Sequence, residues 1–303
     1  MGQTSELRRD SNLRSKAFEM SITTVPQIVI PGSDKKPIAL EISHPEGDGR
    51  FPYVIFMHGF KGFKNWGPWY VAANRFAEAG IGFLRFNFSH NGTTPKSPFD
   101  FADLEAFGQN NFSRELFDSK AVLDWLTEDE QAEKYKVDTT DISLIGHSRG
   151  GATGLIFAKE DIRISRVICW AGVSDLSRYL RSDRAEQWKK DGVYHIPNAR
   201  TGQEMPLYFQ LHEDLAKNQE RFDVQSAVKR LNRPLMIVQG TDDSAVKYDE
   251  AQALKSWAPD APLLTIKGGN HVFGGRHPWE DGDILPRDFS KVVRESIRFI
   301  EQS

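Results

Sequence analysis

The residues best suited to chemistry lie in Gly146-His147-Ser148-Arg149-Gly150, a G-x-S-x-G pattern. It stands between an apolar run, Ile142-Ser143-Leu144-Ile145, and a helical pattern over residues 152–159. A serine in a strained strand-to-helix turn holds its hydroxyl clear of a sheet. The glycines two before and two after it permit close packing where a Cβ would clash. The turn also opens a helix, whose N-terminal N–H groups and positive dipole end favour a developing negative charge. A serine hydroxyl is a poor nucleophile until a histidine takes its proton and a carboxylate orients that histidine. Both partners must therefore come from loops at the same edge of the sheet.

Two loops supply them. After the apolar run Leu235-Met236-Ile237-Val238-Gln239 stands Gly240-Thr241-Asp242-Asp243, and both aspartates are candidates for the orienting acid. After the run at 262–267 stands Gly268-Gly269-Asn270-His271, a glycine loop that lets the His271 ring reach inward. The rival is His277, beyond a further Gly-Gly. His147 adjoins Ser148, but its side chain is expected to point the other way, into the strand–helix packing. His44, His90, His195 and His212 read as loop or surface residues.

A developing oxyanion needs two pre-aimed N–H groups. One is that of Arg149, directly after the serine. The second is assigned to Phe60, with Lys61 as the alternative, in His58-Gly59-Phe60-Lys61-Gly62-Phe63, where Gly59 allows close backbone approach and His58 is expected to pack and fix the loop. There is no H-E-x-x-H and no paired Cys/His spacing, so neither a metal nor a cofactor is expected.

The elements that must position these groups follow from the hydrophobic pattern. Residues 27–30 and 37–42 read as an antiparallel hairpin. Buried strands are expected at 53–57, 81–86, 142–145, 166–170, 235–239 and 262–267, with helices at 69–79, 113–126 (capped by Ser113, with Glu115 in its first turn), 248–257 and 289–300. Residues 87–109 read as a long loop. Alternation of buried strands and helices implies an α/β fold with a mostly parallel, doubly wound sheet entered through the hairpin. The alternation breaks over 173–233, where two polar helical patterns, 176–190 and 213–231, flank a small hairpin. That stretch is expected to be an inserted cap, with the core formed by 19–172 and 234–303 and a flexible segment at 1–18.

Composition narrows the function classes. The 303 residues carry a net charge of −3 and 27% charged residues, with no basic excess to suggest nucleic acid or an anionic membrane. A lone cysteine, Cys169, excludes an internal disulfide and agrees with a reducing compartment; its apolar setting reads as a buried structural thiol. No run is long and apolar enough to span a membrane. The N-terminus has no apolar signal core, and Glu6 stands where N-myristoylation after Gly2 would need Ser or Thr. The expected location is the cytoplasm, and the expected partner is a small-molecule ester, with no membrane insertion.

Taken together, His58-Gly59-Phe60, the run Leu84-Arg85-Phe86-Asn87-Phe88, the serine turn, Gly240-Thr241-Asp242-Asp243 and Gly269-Asn270-His271 occur in the order of the α/β-hydrolase family. The chain resembles that family over residues 27–300. Within it, the chain is similar to serine esterases near the bacterial cinnamoyl/feruloyl esterases and to dienelactone-hydrolase-like and acyl-peptidase-like enzymes. The resemblance implies Asp243 as the acid, because in the related pattern G-x-x-D-x-x-V it stands three after the glycine. It implies a Ser148–His271–Asp243 triad cleaving carboxylic esters. The dienelactone hydrolases use a cysteine nucleophile, so Ser148 argues for esters processed through an acyl-serine. Relatives often follow the RFNF-like strand with G-x-G-x-S; here residues 89–94 read Ser-His-Asn-Gly-Thr-Thr, a loop of different shape. Phe63, Trp66 and Tyr208 are the candidate substrate contacts, against the plainer reading that aromatic residues fill the core and cover sheet ends. A peptidase is ranked lower: related enzymes carry a propeller, which the roughly 50 residues before the first core strand cannot build, a blade alone taking about 40. Thioesterase or acyltransferase action uses the same residues. A non-catalytic binding protein of this fold typically lacks one of the three.

Overall fold

A computed structural model describes residues 20–180 and 185–303. The segment 1–18, expected to be flexible, lies outside the described residues. In chain order the strands are β1 (Ile22–Pro31), β2 (Pro37–Pro45), β3 (Phe51–Met57), β4 (Gly82–Phe86), β5 (Val137–His147), β6 (Ile164–Trp170), β7 (Val193–Pro197), β8 (Glu204–Tyr208), β9 (Leu235–Gly240) and β10 (Leu263–Ile266). The helices are α1 (Trp69–Glu78), α2 (Leu104–Gln109), α3 (Phe112–Thr127), α4 (Asp129–Lys134), α5 (Arg149–Glu160), α6 (Ala185–Asp191), α7 (Gln210–Lys217), α8 (Val224–Lys229), α9 (Tyr248–Trp257) and α10 (Arg287–Gln302).

The apolar run in β3 shows how the layers arise. Tyr53, Ile55 and Met57 enter one buried cluster, while Val54 and Phe56 enter the other. A strand that is apolar on both faces must be covered on both. One face is covered by α3, α5, α8 and α9, the other by α1 and α10. Eight strands form a single sheet in the order β1-β2-β4-β3-β5-β6-β9-β10. The β1–β2 and β2–β4 pairs are antiparallel; from β4 to β10 every pair is parallel. This is the expected α/β-hydrolase architecture, with an antiparallel start and a separate hairpin of β7 and β8.

Boundaries differ where local chemistry outweighs hydrophobic period. β5 begins at Val137 rather than 142, because Val137 pairs with Phe51 before the apolar run starts. The cap of α3 is Asn111, whose side chain accepts from Arg114 N at 2.9 Å, not Ser113. Ser113 instead donates its backbone N–H to Asp214 of α7 at 3.1 Å, and its hydroxyl bonds the same carboxylate. The stretch 87–109 contains α2, started by Asp103, which accepts from Ala106 N at 2.9 Å. The expected helix over 213–231 is two. Asn218 turns its amide back onto Asp214 O at 2.8 Å, and Asp223 starts α8 by accepting from Ser226 N at 3.2 Å. Between β6 and β9, α8 packs against α5 and α9, while β8 lies on α2.

Candidate active site

Ser148 stands between β5 and α5 with φ 57° and ψ −121°, a left-handed conformation that few side-chain-bearing residues adopt. The surroundings hold it there: Ser148 N donates to Trp170 O at 2.9 Å, and Ser148 O accepts from Gly151 N at 3.0 Å and Val173 N at 3.2 Å. The turn closes because its glycines lack Cβ atoms. One on Gly146 would stand 2.3 Å from Gly150 O, and one on Gly150 would stand 2.4 Å from Met57 O. The side chain of Ser148 is partly exposed, and the first N–H groups of α5 follow it without intrahelical acceptors.

Asp243 is the aspartate turned inward; Asp242 is exposed and bonds within its own loop. Asp243 Oδ1 accepts from Ala245 N and Val246 N, both at 2.8 Å. Its Oδ2 accepts from Gln239 Nε2 at 2.9 Å and meets His271 Nδ1 at 2.7 Å. Burial works against ionisation of this carboxyl, yet the bonds from His271 and the two N–H groups hold it below the usual carboxylate range. The contact makes Nδ1 of His271 the donor to the carboxylate and leaves Nε2 as the ring's acceptor nitrogen in the neutral imidazole.

His271 follows the edge strand β10, three strands from β5, or about 14 Å at ordinary strand spacing. Its loop folds back over the sheet end. The His271 ring packs on the His147 ring with centroids 4.7 Å apart, and His147 Nε2 bonds His271 O at 2.9 Å. His147 thus packs between β5 and Trp69 of α1, as expected, and also reaches the histidine loop. Burial and the neighbouring His271 push its pKa down to about 3, so its neutral Nε2–H is the donor to that carbonyl. No hydrogen bond joins Ser148 Oγ to His271 in the structure; such bonds are often long until substrate is bound.

The loop after β3 approaches the serine closely: a Cβ on Gly59 would lie 2.8 Å from Ser148 Cβ and 3.3 Å from Ser148 Oγ. His58 is buried and bonds Gly59 O at 2.9 Å through Nδ1, with Nε2 facing Phe88 N and Asn91 Nδ2, each at 3.4 Å. Burial pushes its pKa down to about 4, so it is a neutral loop-fixing residue. The Phe60 ring packs 5.5 Å from Phe107, and the Arg149 guanidinium lies 4.6 Å from its centroid. That guanidinium is buried, also lies over Phe112, and pairs with Glu115. Glu115, 2% exposed, accepts further from Asn110 Nδ2 at 2.9 Å and Thr153 Oγ1 at 3.0 Å.

The three aromatic candidates have different settings. Phe63 is fully buried against Phe101, Phe99 and His277. Trp66 is half-buried, stacked on His277 with centroids 6.0 Å apart. Tyr208 lies on the β7–β8 hairpin and bonds Glu105 of α2. The rival histidine, His277, does not meet Asp243: its Nδ1 accepts from Gly67 N at 3.0 Å. His90, expected at the surface, is buried, with Nδ1 at 2.8 Å from Ser89 Oγ.

Sequence reasoning did not single out the Glu115–Arg149 pair, Gln239 or the donor role of His147. Gln239 alone left a signal, a polar residue ending an otherwise apolar strand.

A model of the alpha/beta hydrolase family matches residues 54–281. No curated protein sequence matches the chain. Among solved structures, the chain is similar to Est1E from Butyrivibrio proteoclasticus with ferulic acid bound, at TM-score 0.67 and 20% identity over 91% of this chain and 98% of that one. It is also similar to a putative hydrolase from Agrobacterium vitis S4, at TM-score 0.66 and 23% identity over 92% and 99%. A third similar structure is a puromycin-hydrolyzing peptidase from Mycobacterium tuberculosis, at TM-score 0.59 and 18% identity, over 96% of this chain and 40% of that one. With the fold matched throughout and the family model covering most of the sequence, the chain belongs to the alpha/beta hydrolase family.

Proposed function

We propose that the protein is a serine hydrolase that cleaves carboxylic esters through an acyl-serine intermediate. The observation that carries this reading is the bond from His271 to the buried Asp243, 2.7 Å long, on a loop folded back to the end of the strand that bears the strained Ser148. His271 Nε2 removes the Ser148 hydroxyl proton as Oγ attacks the ester carbonyl. The carbonyl oxygen takes the negative charge between the N–H groups of Arg149 and Phe60. Collapse breaks the bond to the alcohol oxygen, which receives the proton from His271. Water then gives a proton to the same nitrogen as its oxygen attacks the acyl-serine; collapse breaks the bond to Ser148 Oγ, which takes that proton back from His271, and releases the acid. Residues 173–233 act as the cap over this site, and the small-molecule ester enters beneath it. The buried single thiol, Cys169, supports a reducing, cytoplasmic setting. Among the described residues no helix is long and apolar enough to cross a membrane.

The ferulic acid complex among the similar structures supports an ester with an aromatic acyl group; the peptidase supports an amide. One panel separates them: p-nitrophenyl esters of increasing acyl length, aryl esters and a chromogenic peptide, with a fluorophosphonate probe. Ester turnover is expected to fall at least about 10³-fold in Ser148→Ala. Unchanged ester turnover in that variant refutes the reading, turnover of the peptide alone replaces it with a peptidase, and absence of both turnover and labelling leaves a binding protein.

A further inference from the structure

A cavity of about 450 Å³ lies between the loop after β3 and the stretch that follows the histidine loop. Its walls include Asn65, Tyr70, Arg85, Phe99, His277 and Trp279, and none of the residues proposed for catalysis lines it. That volume is within the range of small-ligand sites, and aromatic walls with few polar groups are their usual lining. At its base is Arg85, only 3% exposed. Arg85 Nε donates to Asn65 Oδ1 at 2.9 Å and Nη2 to Glu41 Oε2 at 2.6 Å. Its Nη1 has no hydrogen-bond partner and is sealed from solvent, so an acceptor in the cavity reaches it as the side chains around it shift. An unsatisfied guanidinium nitrogen is costly in a buried position, so a ligand that accepts from it gains a strong, charge-assisted bond.

The charge around Arg85 has the same implication. Lys64, fully buried, pairs with the same Glu41. Two buried cations thus share one carboxylate, leaving a net positive charge beside the cavity. Asp281 stands at the exposed mouth, where it accepts from Tyr70 Oη at 3.1 Å; solvent screens it there.

We propose that this cavity binds a small aromatic monocarboxylate, its carboxylate on Arg85 Nη1 and its ring among Tyr70, Phe99, His277 and Trp279. The test is calorimetric titration of the intact protein with benzoate and with benzamide, its neutral analogue. Benzoate binds at least about tenfold tighter than benzamide, the scale of one charge-assisted hydrogen bond. Trp279→Ala weakens benzoate at least about threefold by removing one wall, and Arg85→Gln abolishes the preference for benzoate over benzamide. Asp281→Asn tightens benzoate by removing like charge. Equal affinities for benzoate and benzamide, no saturable benzoate binding, or unchanged affinity in Trp279→Ala overturns the proposal. Should Arg85→Gln not fold, Trp279→Ala, on the half-buried rim, and the benzamide comparison still decide it.

Discussion

Replacing Glu115 with alanine is expected to destabilise the protein by about 3–5 kcal/mol, the range for breaking a buried ion pair from one side. The structure supplies the reason. Glu115 is 2% exposed and takes hydrogen bonds from Arg149, Asn110 and Thr153. Its removal leaves the Arg149 guanidinium, itself only 7% exposed, beside a cavity instead of a carboxylate. The pair itself need not be strongly stabilising, because both charges lost their water on burial. The double variant Glu115→Leu/Arg149→Met, which removes both charges and restores apolar volume, is therefore expected to recover most of the loss.

Urea unfolding of the wild type, Glu115→Ala and the double variant, with slopes compared, measures these differences. Activity supplies an independent readout. The guanidinium packs on the Phe60 ring, so it ties the loop carrying one proposed oxyanion donor to the helix carrying the other. The double variant is expected to be well folded yet reduced in kcat, with KM for a small ester little changed, since an oxyanion contact strengthens in the transition state. A loss below about 1 kcal/mol in Glu115→Ala, or a double variant no more stable than the single, would refute the reasoning about the buried pair.

Stability should rise with pH between about pH 4 and 6. Burial holds His58 and His90 at about 4 and His147 at about 3, below the ordinary 6.5, so each takes up a proton on unfolding; their contribution is full above about pH 6.5 and lost as pH falls. Asp118, pushed up to about 6 by burial, acts with the opposite sign, and the net of two protons corresponds to about 3 kcal/mol per pH unit near pH 5. Urea midpoints at pH 5 and 6 check this, and a flat profile contradicts it. Gly59→Ala should abolish turnover and fluorophosphonate labelling while leaving the far-ultraviolet circular dichroism unchanged, because its Cβ would lie 2.8 Å from Ser148 Cβ. Normal labelling of that variant would show that the loop does not crowd the serine.

What could be read from the sequence and what could not divides along a physical line. The strands of the sheet announced themselves because a strand covered on both faces is apolar at consecutive positions, as residues 53–57 are. The inward aspartate and the loop histidine were legible because glycines and turn residues mark the ends of such strands, and Asp243 and His271 do meet. Short helices such as α2 were hidden, since six residues carry too little period and their start depends on one side chain, Asp103. His90 misled because a polar residue in a loop looks exposed, whereas Ser89 and its hydrogen-bonded neighbours draw it inside. The buried charges were hidden most completely. Glu115 lies 34 residues from Arg149 and Glu41 lies 44 from Arg85, and each pairing exists only once the sheet has brought separate elements together. A lone Glu in a first helical turn or an Arg in an apolar strand reads as a solvated or capping charge. The cost of burying it is visible only from its surroundings, and those same surroundings make it a candidate for function.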